Sequence, residues 1–461
     1  MSNLYSIVLA AGQGTRMKSK THKVLHQLGG KPMIGHVVNL LNRINCQETV
    51  VVVGYQSEKI RDYLGKQVKY VEQNEQLGTA HAVLQAKPLL EGKEGCTIVV
   101  CGDTPLLTES TLSELVNQHI SNKAAATILT AEANPPTGYG RIVRNQFGEV
   151  LKIVEEKDTS DNEKIIKEVN SGTYCFDNKL LFKALSLVKS NNSQGEYYLT
   201  DVIEILHSLG EKVIAHQTAD FSETIGINDR IALANAEKTL KKRILEGHMR
   251  AGVTIVDPDN TYITEDVRIA ADTIIYPGVH LRGNTVIEND CRVGPNVELT
   301  DVLVGSETTI TNSVIVSASI GEKAIIGPFA YIRPGSNIGN SVKIGDFVEI
   351  KNSTIGDKTK IPHLSYVGDA TLGENINIGC GTITVNYDGF TKHPTQIGDR
   401  SFIGCNTNLV APVVVGKDVY VAAGSTITKD VPDFSLAIAR ERQINKEDYV
   451  KKIQEKNKPS S

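Results

Sequence analysis

A chain of 461 residues is longer than one hydrophobic core ordinarily organises, so two large domains are expected. With 40% hydrophobic and 22% charged residues it reads as soluble and globular, and a formal net charge of −4 argues against nucleic acid or an anionic membrane as partner. No apolar run reaches spanning length, no basic-then-apolar leader opens the chain, and seven scattered cysteines lack any C-x-x-C, so the reading is a reducing cytoplasm with no membrane insertion, disulfide or zinc site.

Residues 1–230 alternate strand and helix patterns. Ser6–Ala10 (SIVLA), Thr49–Val53 (TVVVV) and Thr97–Cys101 (TIVVC) are continuous apolar runs, as in parallel strands buried on both faces. A helical stretch opens at Pro32, which suits a first turn. The pattern predicts an α/β domain with a mostly parallel, Rossmann-like sheet, whose ligand sits beyond the C-terminal strand ends.

The first strand runs into Leu9-Ala10-Ala11-Gly12-Gln13-Gly14-Thr15-Arg16, with Lys23 downstream. Gly12 and Gly14 allow a turn whose N–H groups face a phosphate, with Arg16 and Lys23 adding charge; a plain structural turn is the competing reading. Gln73 to Ala80 (QNEQLGTA) follows a strand and opens a helix, and Cys101-Gly102-Asp103-Thr104-Pro105 ends another strand on a carboxylate. Asp103 could bind a metal or cap a helix before Pro105.

Residues 231–251 read as a long amphipathic helix joining the domains, with Ile231, Leu240 and Ile244 on its apolar face. From about residue 252 a period of six takes over. Ile269, Ile275, Leu281, Ile287, Val293 and Leu299 form one run; others start at Ile320 and Ile397. A small or β-branched residue stands four positions after most of these aliphatics, and glycine often follows directly, as at Gly321, Gly339 and Gly404. Neither helix nor ordinary strand repeats at six, whereas a coil of short strands and tight turns does. Residues 252–461 are therefore expected to be a parallel β-helix with its large aliphatics on the axis, ending in a disordered Lys-rich tail after about Tyr449. The register slips near 300–320, and residues 379–396 interrupt the period as an excursion, the expected place for binding residues.

Further motifs follow in order: Thr137 to Ile142 (TGYGRI), Ile153 to Asp158 (IVEEKD), Asn170 to Thr173 (NSGT) and Gly226 to Asp229 (GIND). With the glycine turn and Asp103 they make the N-terminal half resemble the sugar-phosphate nucleotidyltransferases. The repeats resemble the hexapeptide acyltransferases, whose solenoid is left-handed. Together, over residues 2–450, the chain resembles the bacterial bifunctional N-acetylglucosamine-1-phosphate uridylyltransferase / glucosamine-1-phosphate N-acetyltransferase family.

That resemblance implies two activities. Acetyl-CoA would acetylate glucosamine-1-phosphate in the C-terminal domain. UTP would then give UMP to N-acetylglucosamine-1-phosphate in the N-terminal one, feeding peptidoglycan and other wall polymers. It implies that Leu9, Ala10, Ala11, Gly12, Gln73, Gly78 and Thr79 hold the nucleotide, and that Arg16 and Lys23 meet its phosphates. Asp103 and Asn228 would hold Mg²⁺, and Gly140, Glu155 and Asn170 the sugar. In the solenoid His363 would be the general base, with Arg333, Lys351, Tyr366 and Asn377 on the sugar phosphate. Cys380, Asn386, Tyr387, Cys405, Ala423 and Arg440 match its acetyl-CoA positions, and a homotrimer is implied. Arg333 and Lys351 each follow an inward aliphatic and so project outward, while His393 carries no matching motif and reads as a surface residue.

Three positions depart from the family: His22 stands where Pro precedes the phosphate-binding Lys, Cys380 replaces Ala and Cys405 replaces Ser. A cysteine acyl-enzyme is disfavoured, since the family needs no thiol there; the Cys380 N–H remains an oxyanion donor. The alternatives are a nucleotidyltransferase for another sugar on a purely structural solenoid, and a nucleotide-binding regulatory subunit. The excursion, His363, Arg333 and Lys351 would be superfluous in either.

Overall fold

The computed structural model describes residues 3–457, which form two compact units that divide between Lys241 and Lys242. The first is built on one sheet. Its strands are β1 (Leu4–Ala10), β2 (Glu48–Val53), β3 (Lys69–Glu72), β4 (Cys96–Cys101), β5 (Ala126–Glu132), β6 (Arg141–Arg144), β7 (Val150–Val154), β8 (Glu168–Asp177) and β9 (Val213–Gln217). The main order is β9-β5-β8-β4-β1-β2-β3. Neighbours among β4, β1, β2 and β3 are parallel, as are β9 and β5, while β8 runs antiparallel between β4 and β5. The buried runs Val50–Val53 and Ile98–Val100 explain why β2 and β4 lack alternation: helices cover both of their faces. Helix α1 (Met33–Arg43) and helix α2 (Glu109–Asn122) pack on the side carrying Val8, Val51 and Ile98. The N–H of Thr111 donates to the Thr108 side chain, which caps α2.

Helix α3 (Arg230–Arg250) is long, as expected, and of its expected apolar face Leu240 and Ile244 pack inward whereas Ile231 does not. Ile231 is 75% exposed. The buried contact is made by Ala232, Leu233, Ala236 and Leu240 against Leu28, Met33, Leu106 and Ile227. These small residues let the helix lie close to its partners, and a scan for large aliphatics passes over them. The N-terminal half of α3 is thus part of the first unit's packing.

The second unit is a left-handed parallel β-helix of three sheets, with eleven, ten and nine strands. The first face runs from Thr254–Ile255 to Leu436–Ala437, the second from Thr261–Ile263 to Thr426–Ile427, and the third from Arg268–Ile269 to Val413–Val415. Each coil pairs with the next in parallel, as in Ile326↔Ile344 and Ile332↔Ile350. The inward aliphatics form one continuous buried column. Each fully buried Ile or Leu contributes about 1.5–3 kcal/mol relative to exposure.

Near 300–320 the pairing does not slip. The step between inward residues shortens to five, as from Leu299 to Val304 and from Ile310 to Ile315, while Ile287↔Val304 and Leu299↔Ile315 stay paired. The missing residue is taken from a corner, leaving the strands in line. The excursion is also narrower than the sequence suggests. Strand Ile383–Val385 keeps the period with Thr384 buried inward, and the loop leaves after it, closed by a bridge between Tyr387 and Lys392. A helix at Tyr449–Lys456 replaces the expected disorder of the tail; residues 458–461 lie outside the described residues.

Ile325 and Ile326 separate packing from composition, being 51% and 0% exposed. Ile326→Ala should destabilise the solenoid by about 2–5 kcal/mol and Ile325→Ala by about 0.5 kcal/mol or less, read from denaturant midpoints. Equal shifts would contradict the inward–outward assignment.

Candidate functional site

The C-terminal ends of β1 and β4 open onto a cavity of about 290 Å³. Leu9, Ala10, Ala11, Gly12, Lys23, Gln73, Gly78, Thr79 and Asp103 line it, so this group of expected residues comes together. Gly14 is left-handed at φ 62°, and a side chain there would collide with the Lys23 stem, so it shapes the turn. Gly12 has no such neighbour; a side chain there would only fill the cavity. The two glycines therefore divide the structural and the ligand-facing readings between them.

Lys23 is the electrostatic centre. Its ammonium donates to the Asp103 carboxylate and, at 2.6 Å, to Asn228 Oδ1, which also accepts from Arg16 at 2.8 Å. The Ile227 N–H donates to the Asp103 carbonyl at 2.9 Å, strapping the two acceptor-bearing segments together. Asp103 caps no helix: the next one begins at Glu109 with Thr108 as its cap. Its oxygen and that of Asn228 converge on a cation, so the donor pair suits a hard metal ion. His22 is buried, and desolvation followed by the charge of Lys23 depresses its pKa, which favours a neutral ring beside the glycine turn.

Gly140, Glu155 and Asn170 do not line this cavity but gather around Tyr174. The Asn170 side chain donates to the Tyr174 hydroxyl at 2.7 Å, the Asn170 N–H to the Gly140 carbonyl at 2.9 Å, and the Thr200 hydroxyl to Glu155 at 3.1 Å. Burial raises the Glu155 pKa. Five lining residues went unselected as site residues in the sequence: Val24, Gln76, Ala82, Cys101 and Glu196. Gln76 donates to the Ala11 carbonyl at 2.8 Å, tying the glycine turn to the QNEQLGTA segment that contains it, and Glu196 lines the same wall.

On the solenoid the outward residues form columns. Asp346, His363, Cys380, Cys405 and Ala423 each stand two positions after an inward aliphatic of the first face, at the corner leading to the second. Backbone bonds carry the column from coil to coil, with the Asn406 N–H donating to the Cys380 carbonyl at 2.7 Å and Gly424 to Cys405 at 2.8 Å. Within it His363 Nδ1 meets Asp346 Oδ1 at 2.6 Å, and this bond lowers the Asp346 pKa. Asp346 orients the ring and leaves Nε2 to solvent, the arrangement a general base needs. The sequence reading missed Asp346, although it occupies the His363 position one coil earlier. Arg440 lies just past the column, its side chain beside Gly424.

Around the corner, the second face carries Arg333, Lys351 and Tyr366. Arg333 pairs with Glu349 at 2.8 Å. Lys392, from the excursion, stands against Lys351, whose ammonium holds the Lys392 pKa below the ordinary lysine value. Two adjacent ammonium groups define a place for an anion. Asn386 is buried and donates to Asp369 at 2.6 Å and to the Tyr366 hydroxyl at 3.4 Å, so it sits with this cluster rather than in the Cys380 column. Asn377 is on the first face and is not brought to Arg333 within one chain. Tyr387 is exposed, its hydroxyl on the Gly389 carbonyl.

The excursion is internally stapled. Asp388 accepts the N–H groups of Phe390 and Thr391 at 2.8 and 2.7 Å and meets His393 Nε2 at 2.7 Å, which drives the Asp388 pKa far down. His393 is thus a clip that holds Lys392 in place, a role that its sequence context does not reveal.

A cavity of about 290 Å³ with convergent cations over a mostly parallel sheet, followed by a hexapeptide solenoid that carries an oriented histidine, defines a nucleotidyltransferase joined to a second transferase. The nucleotidyl transferase family model matches residues 5–236, the bacterial transferase hexapeptide model (six repeats) residues 266–301, and the GMPPB C-terminal domain model residues 315–431. The chain is 58% identical to "Bifunctional protein GlmU" of Brevibacillus brevis over the full length of both. It is 57% identical to that of Geobacillus sp. (98% of this chain, 99% of the relative) and 54% to that of Listeria welshimeri (98% and 99%). The chain belongs to the GlmU family of bifunctional transferases, and is an enzyme of UDP-N-acetylglucosamine synthesis with uridylyltransferase and acetyltransferase activities.

Proposed function

We propose that the activities divide along the chain: domain 1–230 makes UDP-N-acetylglucosamine from UTP and N-acetylglucosamine-1-phosphate, domain 252–461 acetylates glucosamine-1-phosphate with acetyl-CoA, and residues 231–251 join them. The carrying observation is the oriented His363, on a solenoid that also holds the Lys351–Lys392 pair, which a structural solenoid or a regulatory subunit would not need.

In the first reaction a phosphate oxygen of the sugar attacks the α-phosphorus of UTP and pyrophosphate leaves. No protein nucleophile is required; position and charge neutralisation supply the rate. Leu9, Ala10, Ala11, Gly12, Gln73, Gly78 and Thr79 hold the uridine nucleotide, and Arg16 and Lys23 its phosphates. Asp103 and Asn228 hold Mg²⁺, which when bound neutralises phosphate charge. The convergence of their oxygens on an ammonium supports this, since Lys23 can turn to the phosphates once another cation takes its place. Gly140, Glu155 and Asn170 hold the N-acetylated sugar.

In the second reaction the glucosamine nitrogen attacks the thioester carbonyl, a C–N bond forms, the C–S bond breaks and CoA leaves. His363 Nε2 takes the amine proton, and Asp346 stabilises the resulting imidazolium. Arg333, Lys351, Tyr366 and Asn377 bind the sugar phosphate, with Lys392. Acetyl-CoA follows the column of Cys380, Cys405 and Ala423 toward Arg440, with Asn386 and Tyr387 at its acetyl end and the Cys380 N–H for the oxyanion.

A homotrimer completes this site, bringing the first face of one subunit, with Asn377, to the second face of the next. Support comes from Phe329, Phe347 and Leu364 at the corner beside His363. Each is more than half exposed and holds positive φ (60°, 56° and 43°), where glycine or asparagine is easier. Phe329 and Phe347 stack at 5.4 Å. Such a ridge gains by burial against a second copy. A cytoplasmic location is supported by the use of UTP and acetyl-CoA and by the free cysteines.

With acetyl-CoA, glucosamine-1-phosphate, UTP and Mg²⁺ supplied, His363→Ala should cut CoA thiol release by about 10²–10⁴-fold. When N-acetylglucosamine-1-phosphate is supplied directly, that variant should keep full pyrophosphate release. Asp103→Ala should do the reverse, by about 10²-fold or more. Loss of both activities in either variant would refute independent sites. Sedimentation should give a trimer of the 50.1 kDa chain, and an acetylating monomer would refute the shared site.

A further inference from the structure

Three soft metal-ligating side chains meet inside the first unit, away from its cavity. Cys96 opens β4, Cys175 lies in the adjacent β8, and His119 comes from α2 packed over both. Their ligand atoms all lie within 4.8 Å of one another and all three residues are buried. Cys175 pairs with Ile98 in the ladder, so the two thiols project from the same face of the sheet toward the helix. Sequence reading excluded a zinc site because no cysteines are closely spaced; these ligands are brought together only by tertiary packing.

The bland reading is a core with two small thiols and one satisfied histidine. The histidine argues against it. Its Nδ1 bonds the buried Thr127 hydroxyl at 3.0 Å, which fixes the ring beside the two sulfurs. A second-shell partner on one ring nitrogen, orienting the other, is how metal-ligating histidines are held. Bonds of about 2.3 Å to sulfur and 2.0 Å to nitrogen place ligand atoms roughly 3.5–3.8 Å apart, so a modest contraction of this cluster encloses a cation.

We propose that Cys96, His119 and Cys175 form a binding site for a thiophilic divalent cation of the zinc class, separate from the Asp103–Asn228 pair. Binding replaces the thiol protons, which leave to solvent, with two sulfur–metal bonds and one nitrogen–metal bond. No electron changes hands. The site ties β4, β8 and α2 together at the strand end opposite Asp103, about 17 Å along β4. Its effect is therefore on the stability of the first unit rather than on the reacting atoms.

The full chain, reduced and freed of metal by chelation and kept in Mg²⁺, should take up about one equivalent of Zn²⁺ with an increase in its thermal midpoint. Co²⁺ in its place should give the near-ultraviolet thiolate-to-cobalt absorption. Cys96→Ser and His119→Gln should each bind Zn²⁺ at least about 100-fold more weakly and lose the midpoint shift while keeping pyrophosphate release, which reports a folded first unit. A buried polar cluster alone would leave Zn²⁺ binding and the cobalt spectrum unchanged by these substitutions, and that result overturns the proposal. So do absence of uptake by the unsubstituted chain, and formation of a Cys96–Cys175 disulfide with no metal retained.

Discussion

Parallel backbone pairing between successive coils is the constraint from which the second site follows. Because Ile344, Ile361 and Ile378 stand over one another in the first face, any outward residue at a fixed offset from them stands over its counterpart in the next coil. Two positions after the inward aliphatic, that rule aligns Asp346 with His363 and continues through Cys380, Cys405 and Ala423. One coil therefore orients the histidine of the next. The neighbouring face collects Arg333, Lys351 and Tyr366, and the seven added residues of the excursion bring Lys392 over Lys351. The period supplies the frame; the chemistry sits where it is decorated.

The first unit reaches its site differently. Strand ends, the Gly14 turn and the Gly226–Asn228 segment bring Arg16, Lys23, Asp103 and Asn228 to a common point from distant parts of the sequence. Arg16 and Lys23 share the Asn228 oxygen, and the Asp103 carboxylate faces Lys23. On the proposed function, a second cation at this point would free Lys23 for a phosphate.

Legibility from sequence tracked how local each determinant is. The six-residue period is written in nearest neighbours along the chain, so the solenoid and the inward residues could be read directly. Asp346 was readable in principle, since it shares the His363 offset, but its importance depends on a bond between coils. Thr384 breaks the aliphatic pattern while keeping the inward place, which made the excursion look longer than it is. Lys392 and His393 gain meaning only from the fold of their loop around Asp388. In α3 the small residues Ala232 and Ala236 make the contact, and hydrophobic size misled the choice of Ile231. The glycine turn gave two readings that only the surroundings of Gly12 and Gly14 could divide. The Cys96–His119–Cys175 cluster was invisible, because no spacing rule connects a strand, a helix and a second strand.

The central claim is that the repeat holds the fold and the excursion equips it for acetyl transfer. Deleting residues 387–393 restores a six-residue step between Thr384 and Ile397 and removes the loop without touching His363. Acetyl transfer by this variant, measured as CoA thiol release beside its thermal unfolding, is the most direct test. The account predicts a solenoid that unfolds within a few degrees of the parent, with acetyl transfer lost and pyrophosphate release intact. A collapsed solenoid, or acetyl transfer that survives the deletion, would contradict it.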